Sequence, residues 1–217
     1  MVELYRVAAC GVEVPQELRT LLDGVETATI GHFDPIGVLR GALRPVFPAR
    51  IVGAALTVAA PGRDGAVIYK AVDLVRPGDV LVISRVDADD VACVGGGVAS
   101  AVKARGGVGI VVDGPATDPQ EIREVGLPVW SVGISARTTN RQYQIGGAVN
   151  LPIACGGVAV LPGYVVLADE TGIYAAEAEQ MRLAAIHARE RQARSALLRA
   201  HLAAGHSIFD FVMPEQS

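Results

Sequence analysis

The sequence predicts a layered α/β fold, and three observations carry that prediction. Strand-like and helix-like segments alternate from Ile51 to Val112; only 5% of the 217 residues are aromatic while 25 are glycine; and the second half turns to short apolar runs before one long helix. A core poor in rings and rich in glycine is built from small branched side chains packed close to backbone, which suits sheets and helices stacked in layers and joined by tight turns. A chain of this length buries one sizeable core.

Each element follows from local signals. Ile51 to Ala60 is dense in β-branched and small residues and is stopped by Pro61-Gly62, so it reads as a strand and a turn. Ala66 to Val75 has helical spacing, Arg76-Pro77-Gly78-Asp79 signals a turn, and Val80-Leu81-Val82-Ile83 has buried-strand length. If the two strands run parallel, a right-handed crossover links them. Gly95-Gly96-Gly97 leads into a helix over Val98 to Ala104 that Gly106-Gly107 ends, and Val108 to Val112 is the next buried strand. The loop Asp113 to Asp118 follows, with Pro119 as the first residue of a helix capped by Asp118. Pro128-Val129-Trp130, Gly156 to Val160 and Val165 to Ala168 read as short strands, and Asp169-Glu170-Thr171-Gly172 as a hairpin connection. Glu177 to Ala204 contains neither proline nor glycine and is one helix ended by Gly205, with Met181, Ala184, Ala185, Ala188, Leu198 and Leu202 opposite Arg182, Arg189, Arg194 and Arg199. At 1.5 Å per residue it is roughly 40 Å long, more than a domain of this size needs. The chain therefore reads as a single domain over 1–217, with 177–204 a C-terminal helix used in oligomer packing.

Composition also excludes. Nineteen basic and 23 acidic side chains leave a formal charge of −4, so no overall positive field collects phosphate backbones and nucleic acid is not expected as a partner. Charges or glycines break every apolar stretch short of roughly 18 residues, so no membrane span is expected. The first residues, Met1-Val2-Glu3-Leu4-Tyr5-Arg6, lack a basic segment followed by an apolar run, and a cytoplasmic location is the expectation. Cys10, Cys93 and Cys155 have no C-x-x-C spacing and read as small buried hydrophobes rather than a disulfide frame or zinc site.

Four groups of residues can carry chemistry. Gly95 to Gly97, opening a helix, present unhindered N–H groups with the positive end of a helix dipole behind them, a seat for a carboxylate or phosphate; glycines also serve plain close packing. Asp113 and Asp118, at the end of a buried strand, can take a hard cation such as Mg²⁺ directly or through water, or serve as a turn residue and an N-cap. His32, in Thr29-Ile30-Gly31-His32-Phe33-Asp34-Pro35, and His206, just after Gly205, occupy turns from which an imidazole can act as general acid or base or simply face water. The polar run from Ser131 to Asn150 covers a site or is a solvated loop.

In order along the chain, Val94-Gly95-Gly96-Gly97-Val98, Gly109-Ile110-Val111-Val112-Asp113-Gly114-Pro115-Ala116-Thr117-Asp118, Glu124-Val125-Gly126-Leu127-Pro128-Val129 and Cys155-Gly156-Gly157-Val158 with Pro162-Gly163 resemble the RraA-like family. That family includes the class II 4-hydroxy-4-methyl-2-oxoglutarate / 4-carboxy-4-hydroxy-2-oxoadipate aldolases and the regulator of ribonuclease activity A. The resemblance implies an αββα sandwich related to phosphohistidine swivelling domains, assembled as homotrimers or hexamers with sites at subunit interfaces.

It also implies roles for residues. In the aldolases the segment matching Gly95 to Val98 reads Gly-Glu-Leu-Leu and its N–H groups hold a pyruvate carboxylate, while the loop matching Asp113 to Asp118 ends in Arg-Asp. There the arginine holds the pyruvate oxygens and the aspartate carries Mg²⁺ or Mn²⁺. This sequence keeps the metal-holding residue as Asp118 and has Thr117 where the arginine stands. A hydroxyl cannot make the bidentate charge-assisted pair of a guanidinium, and losing such a contact to a developing oxyanion typically costs about 10²- to 10³-fold in rate. His32 and His206 stand where the family has acidic groups, which points to altered proton transfer. The resulting expectation is a divalent-metal-dependent lyase acting on a small 2-oxo or hydroxy carboxylate, by aldol cleavage, decarboxylation, dehydration or isomerisation. Asp118 holds Mg²⁺ or Mn²⁺, Gly95, Gly96, Gly97, Val98 and Thr117 bind substrate, and His32 and His206 move protons. The rival expectation is a non-catalytic, protein-binding regulator.

Overall fold

Alternate burial of the strand residues organises the architecture. In Asp79–Arg85, Leu81 and Ile83 face one apolar cluster while Val80 and Val82 face another, and in Gly109–Asp113 the same split separates Ile110 and Val112 from Val111. That period of two places a sheet between two apolar layers.

The computed structural model describes residues 3–87 and 90–212. In chain order the elements are β1 (Tyr5–Val7), α1 (Gln16–Leu22), α2 (Thr27–Gly31), β2 (Arg44–Pro45), β3 (Ile51–Ala60), α3 (Ala66–Val72), β4 (Asp79–Arg85), α4 (Gly96–Ala104), β5 (Gly109–Asp113), α5 (Pro119–Val125), β6 (Val129–Ser131), β7 (Gly147–Val149), β8 (Ile153–Cys155), β9 (Val158–Val160), β10 (Val165–Ala168), β11 (Ile173–Ala176) and α6 (Ala178–Ala203), with a 3₁₀ turn at Ile208–Asp210. The main sheet runs β1-β7-β3-β4-β5-β6-β2; β3, β4, β5 and β6 are parallel neighbours, as the predicted strand–helix–strand units require. β10 joins the other edge of β3 antiparallel, with Val165 opposite Ala54 and Ala168 opposite Ile51, and pairs with β11 through the turn at Asp169–Gly172. β8 and β9 form a separate hairpin.

Three apolar clusters separate the layers. The first lies between α3–α5 and one face of β3–β5, the second holds Trp130, the β8–β9 hairpin and the other face, and the third packs α1, α2 and α6 against β10 and β11. The αββα layering expected from the resemblance is thus present, with a long C-terminal helix. Met181, Ala184, Ala185 and Ala188 of α6 are buried, but Leu198 is only half-buried and Leu202 is 41% exposed, because the helix runs on past the body it packs against. Among the described residues no helix is long and apolar enough to cross a membrane. Cys93 and Cys155 are buried and Cys10 half-buried, with no disulfide.

Candidate functional site

Backbone stitching brings two distant loops together. Thr117 N–H donates to the Val94 carbonyl at 2.8 Å, Ala116 N–H to the Gly133 carbonyl at 2.9 Å, and Ser135 N–H to the Ala116 carbonyl at 2.9 Å. The loop leaving β5 therefore lies beside the residue that precedes Gly95, and the Ser131–Asn150 run clasps it from the far side. Further along that run, Ala92 N–H donates to the Arg137 carbonyl and Thr139 N–H to the Ala92 carbonyl. Arg137 itself pairs with Asp90 at 3.0 and 3.1 Å.

The first helical bond of α4 runs from Ala99 N–H to the Gly95 carbonyl at 3.0 Å, so the N–H groups of Gly96, Gly97 and Val98 precede the ladder and meet no acceptor among the described residues. Beside them stands Asp118. It sits at the N-cap position of α5 in the left-handed region (φ 52°, ψ 50°), with Pro119 as the first helical residue as expected, yet its carboxylate makes no capping bond. Thr117 Oγ1 donates to Asp118 Oδ1 at 3.3 Å, and the other carboxylate oxygen lies directly against Gly95. A left-handed conformation at a non-glycine costs of order 1 kcal/mol and collects at functional positions.

Sequence reasoning missed Glu121, whose carboxyl group lies against Gly96 where a side chain on that residue would stand. Its signal was available, since a residue three past Asp118 on α5 shares a helix face with the cap. Gly97 has nothing within 4 Å of the side-chain position and is open. Asp118 and Glu121 are exposed and neither faces a cationic side chain among the described residues. Hard oxygen donors beside unpaired N–H groups suit Mg²⁺ or Mn²⁺ with most positions left to water and ligand. Among the described residues no three metal-ligating side chains converge.

Asp113 is placed differently. Its Oδ2 accepts from Gly156 N–H at 2.7 Å and its Oδ1 pairs with Arg40, whose own N–H reaches the Gly156 carbonyl at 2.8 Å. The first carboxylate of the loop is thus spent holding the β8–β9 turn. It also lifts the buried Cys155 thiol well above its ordinary range, second to burial itself. A cavity of about 440 Å³ opens beside it, lined by Arg40, Asp90, Asp113, Pro115, Ile134 and Ser135 among others.

His32 and His206 stand elsewhere in the chain. His32 is exposed at the end of α2, in the layer formed by α1, α2 and α6, and His206 follows α6 with its ring 4.8 Å from that of His201. The structure brings Gly95, Gly96, Gly97, Val98, Thr117 and Asp118 together; within one chain the two histidines belong to the opposite layer. Two residues past His32, Asp34 accepts hydrogen bonds from Tyr174 Oη and Gln180 Nε2, both at 2.7 Å, at the edge of a cavity of about 600 Å³. The Tyr174 bond, with help from Gln180, holds the Asp34 carboxyl below its ordinary range.

Comparison with known proteins places the fold. The 4-hydroxy-4-methyl-2-oxoglutarate aldolase of Thermus thermophilus is 33% identical over 110 residues, 51% of this chain and 66% of that enzyme. The chain spans 58–66% of the length of the first curated relatives it matches. Streptomyces coelicolor RraAS2, described as an unusual member of the RNase ES inhibitor RraA protein family, superposes with a TM-score of 0.74 at 27% identity, over 85% of this chain and 96% of that one. The RNA-processing inhibitor RraA from Thermus thermophilus gives a TM-score of 0.61 at 27% identity, over 69% and 91%. With residues 20–174, from α1 through β11 and including the α4 glycines and Thr117-Asp118, matching the RraA-like (Aldolase/RraA) description, the chain belongs to the RraA-like family.

Proposed function

We propose that this protein is a divalent-metal-dependent lyase acting on a small 2-oxo or hydroxy carboxylate, through aldol cleavage, decarboxylation or related enolate chemistry. One observation carries the reading: three N–H groups at the start of α4 that meet no acceptor among the described residues stand beside an exposed carboxylate in a strained left-handed turn. The Gly96, Gly97 and Val98 N–H groups receive the substrate carboxylate, favoured by the helix dipole, and the open side of Gly97 admits it. Asp118 holds Mg²⁺ or Mn²⁺ with Glu121 close by, and Thr117 donates a neutral hydrogen bond where relatives have a cation. When bound, the metal ion supplies Lewis-acid polarisation of the 2-oxo group. His32 and His206 serve as proton-transfer groups contributed by a neighbouring protomer of a homotrimer or hexamer, since the α1–α2–α6 layer holds them away from Asp118 in their own chain.

Thr117 favours a second reading, a protein-binding regulator like the RraA neighbours, because the hydroxyl lacks the charge that steadies an enolate. Pyruvate release from 4-hydroxy-4-methyl-2-oxoglutarate and from oxaloacetate, with Mg²⁺ or Mn²⁺ against a chelator, separates the two. Metal-dependent release by the wild type that Asp118→Ala abolishes is the expected result. Silence from the wild type with activity gained in Thr117→Arg supports the regulator.

A further inference from the structure

On the far side of α5 from Gly96 lies a cavity of about 280 Å³, walled by Arg44, Pro45 and Val46 around β2, by Pro119 and Arg123 of α5, and by the turn after β6. Among the described residues no acidic side chain lines it. Arg44 Nη1 donates to the Thr171 carbonyl at 2.9 Å and Arg123 Nη2 to the Val46 carbonyl at 3.3 Å, and neither guanidinium faces a carboxylate among the described residues. Arg40, Arg76, Arg105, Arg137 and Arg182, by contrast, each pair with one. Two like charges sharing a cavity repel each other, and each guanidinium carries five N–H donors, of which a single carbonyl bond uses one.

We propose that this pocket binds a compact divalent oxyanion, the phosphoryl group or paired carboxylates of a small metabolite, between Arg44 and Arg123. The anion removes the repulsion and takes forked, charge-assisted bonds from both guanidinium groups. Their carbonyl bonds to separate backbone segments hold them in place before the ligand arrives, and the apolar floor of Val46, Pro119 and Ile134 accommodates a short carbon chain. This site is distinct from the α4 platform: Glu121 turns toward Gly96, whereas Pro119 and Arg123 face the pocket.

Calorimetric titration of the full chain with inorganic phosphate and, separately, with malonate at low ionic strength tests the assignment. Saturable binding of either anion by the wild type is expected; phosphate alone identifies a phosphoryl ligand, malonate alone a dicarboxylate. Arg44→Gln and Arg123→Gln each weaken it about tenfold or more. Because those changes also remove a carbonyl bond, Ala42→Glu provides a second variant: it brings a carboxylate to the pocket wall with both arginines in place, and abolishes binding. Arg182→Gln leaves it unchanged. Absence of saturable binding by the wild type, or binding that survives both Ala42→Glu and the Arg44→Gln/Arg123→Gln double change, overturns the proposal.

Discussion

The Asp118 carboxylate occupies the space that a side chain on Gly95 would require: a Cβ there would run into Asp118 Oδ2 and lie 2.8 Å from Thr117 Cγ2. The neighbouring glycines differ, with the exposed Glu121 chain against Gly96 and open space at Gly97. Alanine substitutions should therefore fall in a fixed order. Gly95→Ala costs about 1–3 kcal/mol through overpacking and displaces Asp118; Gly96→Ala costs less, because Glu121 can swing into solvent; Gly97→Ala is neutral or stabilising by up to about 1 kcal/mol, as alanine favours helix. Urea denaturation of the three variants checks the ranking, and equal losses at all three would refute it.

Asp118 separates backbone strain from chemistry. Asp118→Gly relieves the left-handed turn while Asp118→Ala retains the strain, so the glycine variant should be the more stable by about 1 kcal/mol. Both lose the carboxylate, and under the proposed lyase function metal-dependent turnover vanishes in both. Thermal unfolding alongside the pyruvate assay measures the two effects independently.

Asp34 gives the acid side of the stability curve a specific shape. Its folded-state carboxyl lies below the ordinary value because Tyr174 Oη donates to the ionised form. A depressed carboxyl contributes stability above its unfolded value, near 3.8, and loses it as pH falls through the folded value. Tyr174→Phe should raise the Asp34 carboxyl and lessen the loss of stability below pH 4 or so. Side-chain carboxyl NMR of Asp34, read with the pH dependence of unfolding, would expose an unchanged titration if the bond were unimportant.

The outer part of α6 predicts assembly behaviour. Leu197 and Leu202, 45% and 41% exposed, and Phe209, 95% exposed, lie beyond the last buried residue of the helix, Ala188. Under the proposed homotrimer or hexamer, Leu197→Glu with Leu202→Glu should leave far-UV circular dichroism unchanged and shift sedimentation toward the monomer. An unaltered distribution would show that this stretch does not carry subunit contacts.

How much of this was legible depended on length and punctuation. β3, β4 and β5 announced themselves because each apolar run is long enough to show composition and is bounded by proline or glycine. Gly156 to Val160, read as one strand, begins only at Val158, because Gly156 and Gly157 take positive φ (57° and 81°) to form the turn of the β8–β9 hairpin. β7 and β8, three residues each, are too short for a period of two to register. Residue types alone left Asp118 and the glycines open between ligand binding and plain capping or packing, and the roles proposed for them come from the family resemblance. Glu121 against Gly96 and the Arg44–Arg123 pocket depend on how α5 is rotated against its neighbours, which spacing along the chain does not encode.

β3 shares its edges among β4, β7 and β10, and its pairing of Ala54 with Val165 joins segments made far apart in time on the ribosome. Until β10 emerges, the N-terminal half of β3 keeps an unpaired apolar edge, the kind that recruits other chains. Completion of the sheet waits on closure of that long loop, so this topology folds slowly for its size. For as long as that loop stays open, the edge of β3 is available for pairing with another chain.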